Sequence, residues 1–595
     1  MVLSVLGLSI LAFVATGYSQ QLYHLEQGKM VSPLYTMNPG NYSETVVKEK
    51  PPVVEFKASG MIDVIWEINK NVNDQAPSAW TGQGNLFGIS PQFAPRNATQ
   101  DAATTLLGTP GVVITPPKGI IGAGPLAGVP YGAAFNKKQN FWATRARLKF
   151  DAAMGKQVSG TLFFEIDSAR WGERNGLGAQ RNQAGNWNAD SAAVEVKNAY
   201  ITFAVPPIIP VPIVVNAGIL PMVTRPVVNY TDGAGVNMII RPDPVTIKLA
   251  FMKPLENQDW ASDDGDVYQV DVKANLGPMT VGAFGAYYNL NTYPFQSGGS
   301  LSQLTGAIST TTGGNLAYVS NYNVTNTANF GWYGLYADGK LGPVQLSFDG
   351  VYDSGKVDPH GSAVTNPNNK KVTYTGWLAR LGLDLPVEKF NIGIVGMYAS
   401  GADMKKTSAS GLPGSTVANT SAGAVTSTKV GSYIVPPNAE QGYDDESIVF
   451  YGQGPNGLGR PGTGYQNAGT GGGTVGRGAY GGTWFAKLYA NFKPTPWYRM
   501  TLSGLYIGDT TKNGNTIGNA VDSNGYPKDS STIGWEVDLF NDIQIYKNLQ
   551  LRIGGGYLFS GSAMDYRDQR TSTSSTTNIG AQNPWSIISK LLYVF

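Results

Sequence analysis

The chain of 595 residues contains no cysteine, which removes disulfide frameworks, thiol nucleophiles, zinc knuckles and haem-attachment motifs together. Histidine is nearly absent as well, with two in the whole chain. His24 precedes the first strand-like segment and His360 falls in a loop, so neither sits where a Ser-His dyad would be held rigidly, and no enzymatic activity is expected. Charge is scarce, at 14% of residues, and 43 Lys+Arg against 41 Asp+Glu leave a net charge of +2. No basic block of the kind that releases counterions is present, which argues against nucleic acid as a partner. Beyond the first residues no apolar run approaches the ~18 residues of a spanning helix. No cofactor is expected: the spacings Gly452/Gly454/Gly457 and Gly471/Gly473/Gly476 lie in a low-complexity stretch with no strand before and no helix after.

What is present is 75 Gly, 31 Tyr and 12 Trp at a mean hydropathy of −0.15. A membrane barrel produces this mixture, because its wall needs apolar side chains on only one face of each strand. Residues 1–19 open with an apolar run and pass into small residues, which reads as a secretory signal cleaved near Ser19. The usual positive start is missing, so an N-terminal anchor is the alternative. Residues 20–52 lack strand periodicity and read as a periplasmic extension.

From Val53 onward apolar and polar residues alternate with period 2, the spacing that sends successive side chains to opposite faces of a sheet. Val54, Phe56, Ala58, Ile62, Val64, Trp66 and Ile68 share one face, while Glu55, Lys57, Asp63 and Glu67 share the other. Trp142, Leu148 and Phe150 oppose Arg145, Arg147 and Lys149; Val270 and Val272 oppose Asp271 and Lys273; Ile533, Trp535, Val537 and Leu539 oppose Glu536 and Asp538. Soluble sandwiches alternate too. Loop lengths discriminate: about eighteen strand-like segments, from 53–68 to 583–595, are joined alternately by tight turns and by long polar loops, including 69–139, 291–328 and 401–481. Compact soluble domains seldom carry structureless loops of that size.

The chain ends Trp585-Ser-Ile-Ile-Ser-Lys-Leu-Leu-Tyr-Val-Phe595, with Trp585, Ile587, Leu591, Tyr593 and Phe595 on one face. Together with the secretory start and the alternation, this resembles the C-terminal assembly signal of Gram-negative outer-membrane porins. The resemblance covers 53–595 and implies an all-β antiparallel transmembrane barrel, 18-stranded or else 16-stranded, in the outer membrane. It further implies contact with lipids and lipopolysaccharide, delivery to the barrel-assembly machinery through Phe595, and a homotrimer.

If the apolar rows face lipid, the polar rows line a water-filled pore. Its expected lining is Glu55, Asp63, Glu67, Arg145, Arg147, Lys149, Glu165, Asp167, Glu195, Lys197, Asp271, Lys273, Arg380 and Asp384. Opposed charges set up a transverse field that passes small hydrophilic solutes and disfavours apolar ones; equally, neighbouring acids and bases could neutralise one another. Arg225 and Arg241, near the ends of a proline-containing hairpin, are candidates for a constriction, and loops 69–139 and 401–481 are long enough to narrow the lumen. Asp263, Asp264 and Asp266, and the run Asp444-Asp445-Glu446, offer hard oxygen ligands for Ca²⁺ without the full spacing of a calcium loop, so solvated loops are the simpler reading. The expected function is passive diffusion of small hydrophilic solutes and ions. The alternatives are a substrate-specific channel of the same architecture, an adhesive barrel displaying its large loops, or the sheath of an electron conduit, which would need a haem partner.

Overall fold

The computed structural model describes residues 24–26, 29–31, 54–71, 138–155, 157–171, 194–206, 211–256, 264–293, 306–310, 316–320, 326–359, 371–403, 406–407, 425–426, 429–437, 439–452, 458, 475–518, 520–567 and 576–595. The candidate signal, His360, Asp263 and nearly all of loop 69–139 lie outside them. Within 20–52 the described residues form one short antiparallel ribbon, His24–Glu26 with Lys29–Val31.

Eighteen antiparallel strands form a closed barrel. In chain order they are β1 (Val54–Lys70), β2 (Lys138–Met154), β3 (Val158–Arg170), β4 (Glu195–Ala204), β5 (Ile213–Pro221), β6 (Asp232–Ile240), β7 (Val245–Leu255), β8 (Gly265–Leu276), β9 (Met279–Tyr293), β10 (Asn326–Leu341), β11 (Val344–Pro359), β12 (Val372–Val387), β13 (Phe390–Ala399), β14 (Thr483–Thr495), β15 (Tyr498–Asp509), β16 (Thr532–Tyr546), β17 (Leu549–Ser560) and β18 (Trp585–Val594). Each strand pairs with its neighbours in sequence, and β18 returns to β1 from Trp585 opposite Lys70 to Val594 opposite Met61. Gly60 and Phe595 complete the seam by exchanging backbone hydrogen bonds of 2.9 and 3.0 Å. Glycine is needed at position 60, because a Cβ there would come within 2.4 Å of the Arg147 carbonyl oxygen and 2.7 Å of the Phe595 ring.

The period-2 pattern sorts the side chains as the alternation requires. On β16, Trp535, Val537 and Leu539 are 57, 46 and 40% exposed, while Glu536 and Asp538 between them are fully buried. On β1, Ile62 faces out and Asp63, Glu67 and Asn69 face in. Ile533 departs from the expected outward row. A bulge sets Ile507 opposite Gly534 but Gly508 opposite Thr532, leaving Ile533 as the extra residue, and it is buried. Exposed aromatics mark both ends of the outer belt. Trp535 and Tyr546 on β16 are eleven residues apart; at about 3.4 Å per residue and a tilt of about 40°, that spacing spans about 28 Å, close to a hydrocarbon core.

One end of the barrel carries short turns such as 277–278, 342–343 and 547–548, and the other carries the long connections, among them 400–482. The apolar core lies inside the barrel. Inward-facing Phe330, Tyr374, Phe485 and Phe540 pack with Tyr433, Ile434, Val449, Phe450 and Tyr480 of the 400–482 connection. The interior is therefore partly filled rather than wholly wet: a ring of this many strands is too wide for its own side chains, and folded-in chain takes up the space.

At Leu539, midway along β16, substitution by Arg is expected to cost about 2–4 kcal/mol, and Tyr546→Arg at the rim about 0–1 kcal/mol. Urea titration of folding into lipid vesicles measures both.

Candidate constriction site

Two connections from the long-loop end enter the barrel and lock together. The first, 222–231, follows β5. Its Pro226 and Val227 carbonyls accept from Gly442 N (3.0 Å), the Tyr433 hydroxyl (2.7 Å) and the Gln441 amide of the second, and Tyr230 N donates to Glu440 O at 2.7 Å. Met222, Val227 and Val228 are completely buried at this junction. An inserted segment brings unpaired backbone polar groups into a low-dielectric interior, where each must find a partner. The barrel wall supplies them. Glu536 accepts from the backbone N–H groups of Ile448, Val449 and Phe450 at 2.7–2.9 Å, Asp353 accepts from Ile434 N at 3.3 Å, and the Lys487 ammonium donates to the Asp445 and Glu446 carbonyls. Glycines make room on the wall: a Cβ at Gly376 would lie 2.5 Å from Ser432 O, and one at Gly556 2.8 Å from Ile448 Cβ.

Charge pairs fix the assembly across the lumen. Arg225 donates from Nε to Asp349 at 2.6 Å and from Nη1 to Asp338 at 2.9 Å, and its guanidinium lies 4.4 Å over the Tyr336 ring. Tyr443 hydrogen-bonds Asp349 and lies under the Arg380 guanidinium, 3.7 Å from ring centroid to Cζ. Burial and the adjacent Asp349 carboxylate raise the Tyr443 phenol well above its ordinary pKa, so it remains a donor at neutral pH. Arg380 pairs with Glu446 at 3.2 Å, and Arg552 reaches Asp445 at 2.7 Å and also Asp542. The acidic run 444–446 thus supplies anchors to wall arginines.

On the other side of the barrel the inward charges form a second ladder. Glu165 receives Arg147 at 2.8 Å and Lys197 at 2.9 Å, with Arg145 at 3.5 Å; Lys197 also meets Asp232 at 3.0 Å, and Lys149 meets Asp151 at 3.0 Å. The lysines of this ladder are wetter, with the Lys149 and Lys197 side chains 36 and 26% exposed, while Arg145 and Glu165 are as buried as Arg380. Between the two regions lies a cavity of about 230 Å³ lined by Arg225, Lys248, Gln269, Asp271, Lys273 and Tyr336, where the Tyr336 hydroxyl donates to Asp271 at 3.0 Å.

The remaining expected lining residues are dispersed. Asp63 meets Lys590 at 3.5 Å, Glu67 accepts from Asn69, and Asp384 accepts from Asn391 and Tyr489. Glu195 opens β4, Glu55 is exposed near the start of β1, and the Asp167 side chain lies outside the described residues. Arg225 stands at the narrowing, whereas Arg241 occupies an exposed turn at the opposite end. Asp264 and Asp266 face Lys253 at 2.7 and 3.6 Å, so an ammonium already sits against the oxygens a calcium ion would take, and the described residues contain no cluster suited to a metal. Asp338, Asp349, Tyr336 and Lys248 were not anticipated, although the same period-2 reading of β7, β10 and β11 would have placed all four inward. Nothing in the sequence marked Tyr443.

The outward rows are apolar, the inward rows mix charged with aromatic side chains, and the sheet has no free edge. The fold is that of a closed, 18-stranded transmembrane β-barrel. No family model matches the chain, and no curated protein matches it. Solved structures to which it is similar include those of three Pseudomonas aeruginosa proteins. OccK8 (OprE) has 10% identity over 91% of this chain and 98% of that one, at a TM-score of 0.40. OccK5 (OpdH) has 10% identity over 91% and 98%, at 0.39. OccK1 (OpdK) has 9% identity over 90% and 98%, at 0.37. At these TM-scores the likeness adds nothing to what the barrel's own geometry shows.

Glu536→Leu removes the acceptor of three buried N–H groups, at about 1–3 kcal/mol for each one left unsatisfied. The expected outcome is a barrel that still folds but is cut by thermolysin within 439–451 at least tenfold faster than the parent, as measured by limited proteolysis in detergent.

Proposed function

We propose that the chain is a channel in the outer membrane of a Gram-negative bacterium, through which small hydrophilic solutes and ions diffuse passively along a narrowed, water-lined path. The observation that carries this reading is the cavity beside Arg225. It lies inside a closed barrel, is lined by charged, amide and hydroxyl groups together with Val223 and Phe284, and borders the ladder whose lysines stay partly hydrated. The four charged groups of that lining offer a hydrated solute partners for the water it sheds. Because most inward cations have carboxylate partners, the field is balanced and ion preference is weak.

A second reading, a substrate-specific channel, is favoured by the constriction itself. Arg225, Asp349, Tyr443 and Arg380 hold one another in place, and positioned groups discriminate among solutes better than mobile ones. Subunit association would use β4–β6, the shortest run of strands, whose exposed large apolar residues Val196, Ile201 and Ile219 include no Trp or Tyr to anchor a lipid interface. Native mass spectrometry of the detergent complex is expected to show three copies.

Planar-bilayer recording tests the channel. Pure protein is expected to give discrete steps with a cation-to-anion permeability ratio near one, and replacing 433–451 with a short Gly/Ser linker should raise the step size at least twofold. Arg225→Ala uncovers Asp338 and Asp349 and should shift the ratio toward cations. No steps from folded wild-type barrel would refute transport. Block by one solute at micromolar concentration would select the substrate-specific form.

A further inference from the structure

Two inward lysines are set apart from the rest. Lys149 meets Asp151, Lys197 meets Glu165 and Asp232, Lys590 meets Asp63, and Lys487 donates to two carbonyls of the insert. Lys248 of β7 and Lys273 of β8 make no ion pair and no hydrogen bond among the described residues. Both line the cavity of about 230 Å³ beside Arg225. Register sets Asp271 opposite Lys248 and Lys273 opposite Thr246, so the two lysines are diagonal neighbours on one inward face, within reach of each other's charge. The charged and phenolic remainder of the lining is engaged. Arg225 is held by Asp338 and Asp349, and Asp271 accepts from the Tyr336 hydroxyl. That ring lies across β9 because position 282 is glycine, where a Cβ would stand 2.3 Å from Tyr336 Cζ. Thr224 comes from the insert instead of the wall, on segment 222–231. Its hydroxyl oxygen accepts from the Gln269 amide at 3.3 Å, which leaves the hydroxyl proton for a further acceptor.

Two ammonium groups from the wall and one hydroxyl from the insert therefore share a small cavity in which, among the described residues, none of them has an acceptor. We propose that they hold a tetrahedral inorganic oxyanion, sulfate or phosphate, on its passage through the lumen. Such an ion presents an oxygen on every side, so donors on β7, β8 and the insert are met at once. A halide is a single atom and reaches fewer of them; a planar carboxylate turns both oxygens to one side and its carbon chain to the other. Each ammonium contact to the ion is a charge-assisted hydrogen bond, and an anion between the lysines replaces their mutual repulsion with attraction to both. The Asp271 carboxylate on the same wall tempers the hold, since conduction requires a site that releases what it binds.

The inference rests on the reading that the lumen conducts, but its first readout is binding. Full-length protein in detergent is dialysed to equilibrium against radiolabelled sulfate or radiolabelled phosphate. A single ion per chain is expected to bind, and unlabelled acetate or chloride should displace it about tenfold less well than the unlabelled oxyanion. Lys248→Gln with Lys273→Gln should weaken binding about tenfold or more and Thr224→Val about threefold, the sizes that lost charged and neutral hydrogen bonds account for. Lys340→Gln with Lys547→Gln, which removes the same charge from exposed positions at the short-turn end, should leave binding unchanged. Folding of each variant is checked by its heat-modifiable gel mobility. Whichever of the two ions binds more tightly identifies the solute. Displacement by acetate as ready as by sulfate, or binding that survives the double replacement of Lys248 and Lys273, overturns the proposal. In planar bilayers, sulfate should lower the chloride conductance of the parent and not that of the Lys248 and Lys273 variant. Ion binding by a barrel that gives no channel steps would sink the channel reading alone; channel steps without ion binding would sink this site alone.

Discussion

Backbone hydrogen bonding in a medium without water governs the rest of the structure. An extended strand in hydrocarbon has its N–H and C=O groups satisfied only by neighbouring strands, so the sheet must close on itself. Closure is achieved between β18 and β1 and is completed by the exchange between Gly60 and Phe595. Once eighteen strands close, the lumen is wider than two opposed side chains, and its contents become a second folding problem.

That problem is solved with chain from the long-loop end, and the solution sets its own electrostatic demands. Segments 222–231 and 429–451 carry peptide groups into the interior, and wall residues such as Glu536, Asp353 and Lys487 are placed to receive them. A buried carboxylate left unpaired would be costly, but one accepting three N–H bonds is well solvated by protein. The inward charges of β11, β12, β16 and β17 are therefore structural to a degree their alternation with lipid-facing residues does not reveal. Trp332, whose indole N–H donates to Ile434 O at 2.8 Å, belongs to the same fitting of wall to insert.

All eighteen strands were legible in the sequence, most to within four residues at either end although β11 runs six residues past the expected 353, because lipid on one side and polar groups on the other impose a strict period of two. The irregularities were not. The Ile533 bulge moves one apolar residue inward with no compositional mark. The inserted segments were harder still. Their partners lie far away in sequence, Arg225 being more than a hundred residues from Asp338 and Asp349, and no local periodicity encodes such a contact. Loop 222–231 was marked only through Arg225 and its neighbouring prolines, whereas 401–481 stood out by length. The acidic run 444–446 read as a solvated loop because its arginine partners are on strands. Arg241, grouped with Arg225 by its proline neighbours, lies at the other end of the barrel because β6 separates them.

The interior divides by hydration, and the division bears on selectivity. From β9 to β17 the wall is committed to holding the insert, and most of its inward charges are buried against counter-charges or the insert's own N–H groups. Between β2 and β6 the pairs Lys149–Asp151 and Lys197–Asp232 remain partly wet, so their mutual attraction is screened. Arg225 stands at the boundary, tied to the buried side by Asp349 and facing the cavity beside Lys248 and Lys273. In the proposed channel, a rigid wall of paired charge on one side and a more hydrated ladder on the other would direct a solute along the second face. The width of that path would be set by the contacts that seat Tyr443, and its charge by the few lysines whose neighbours leave them partly exposed.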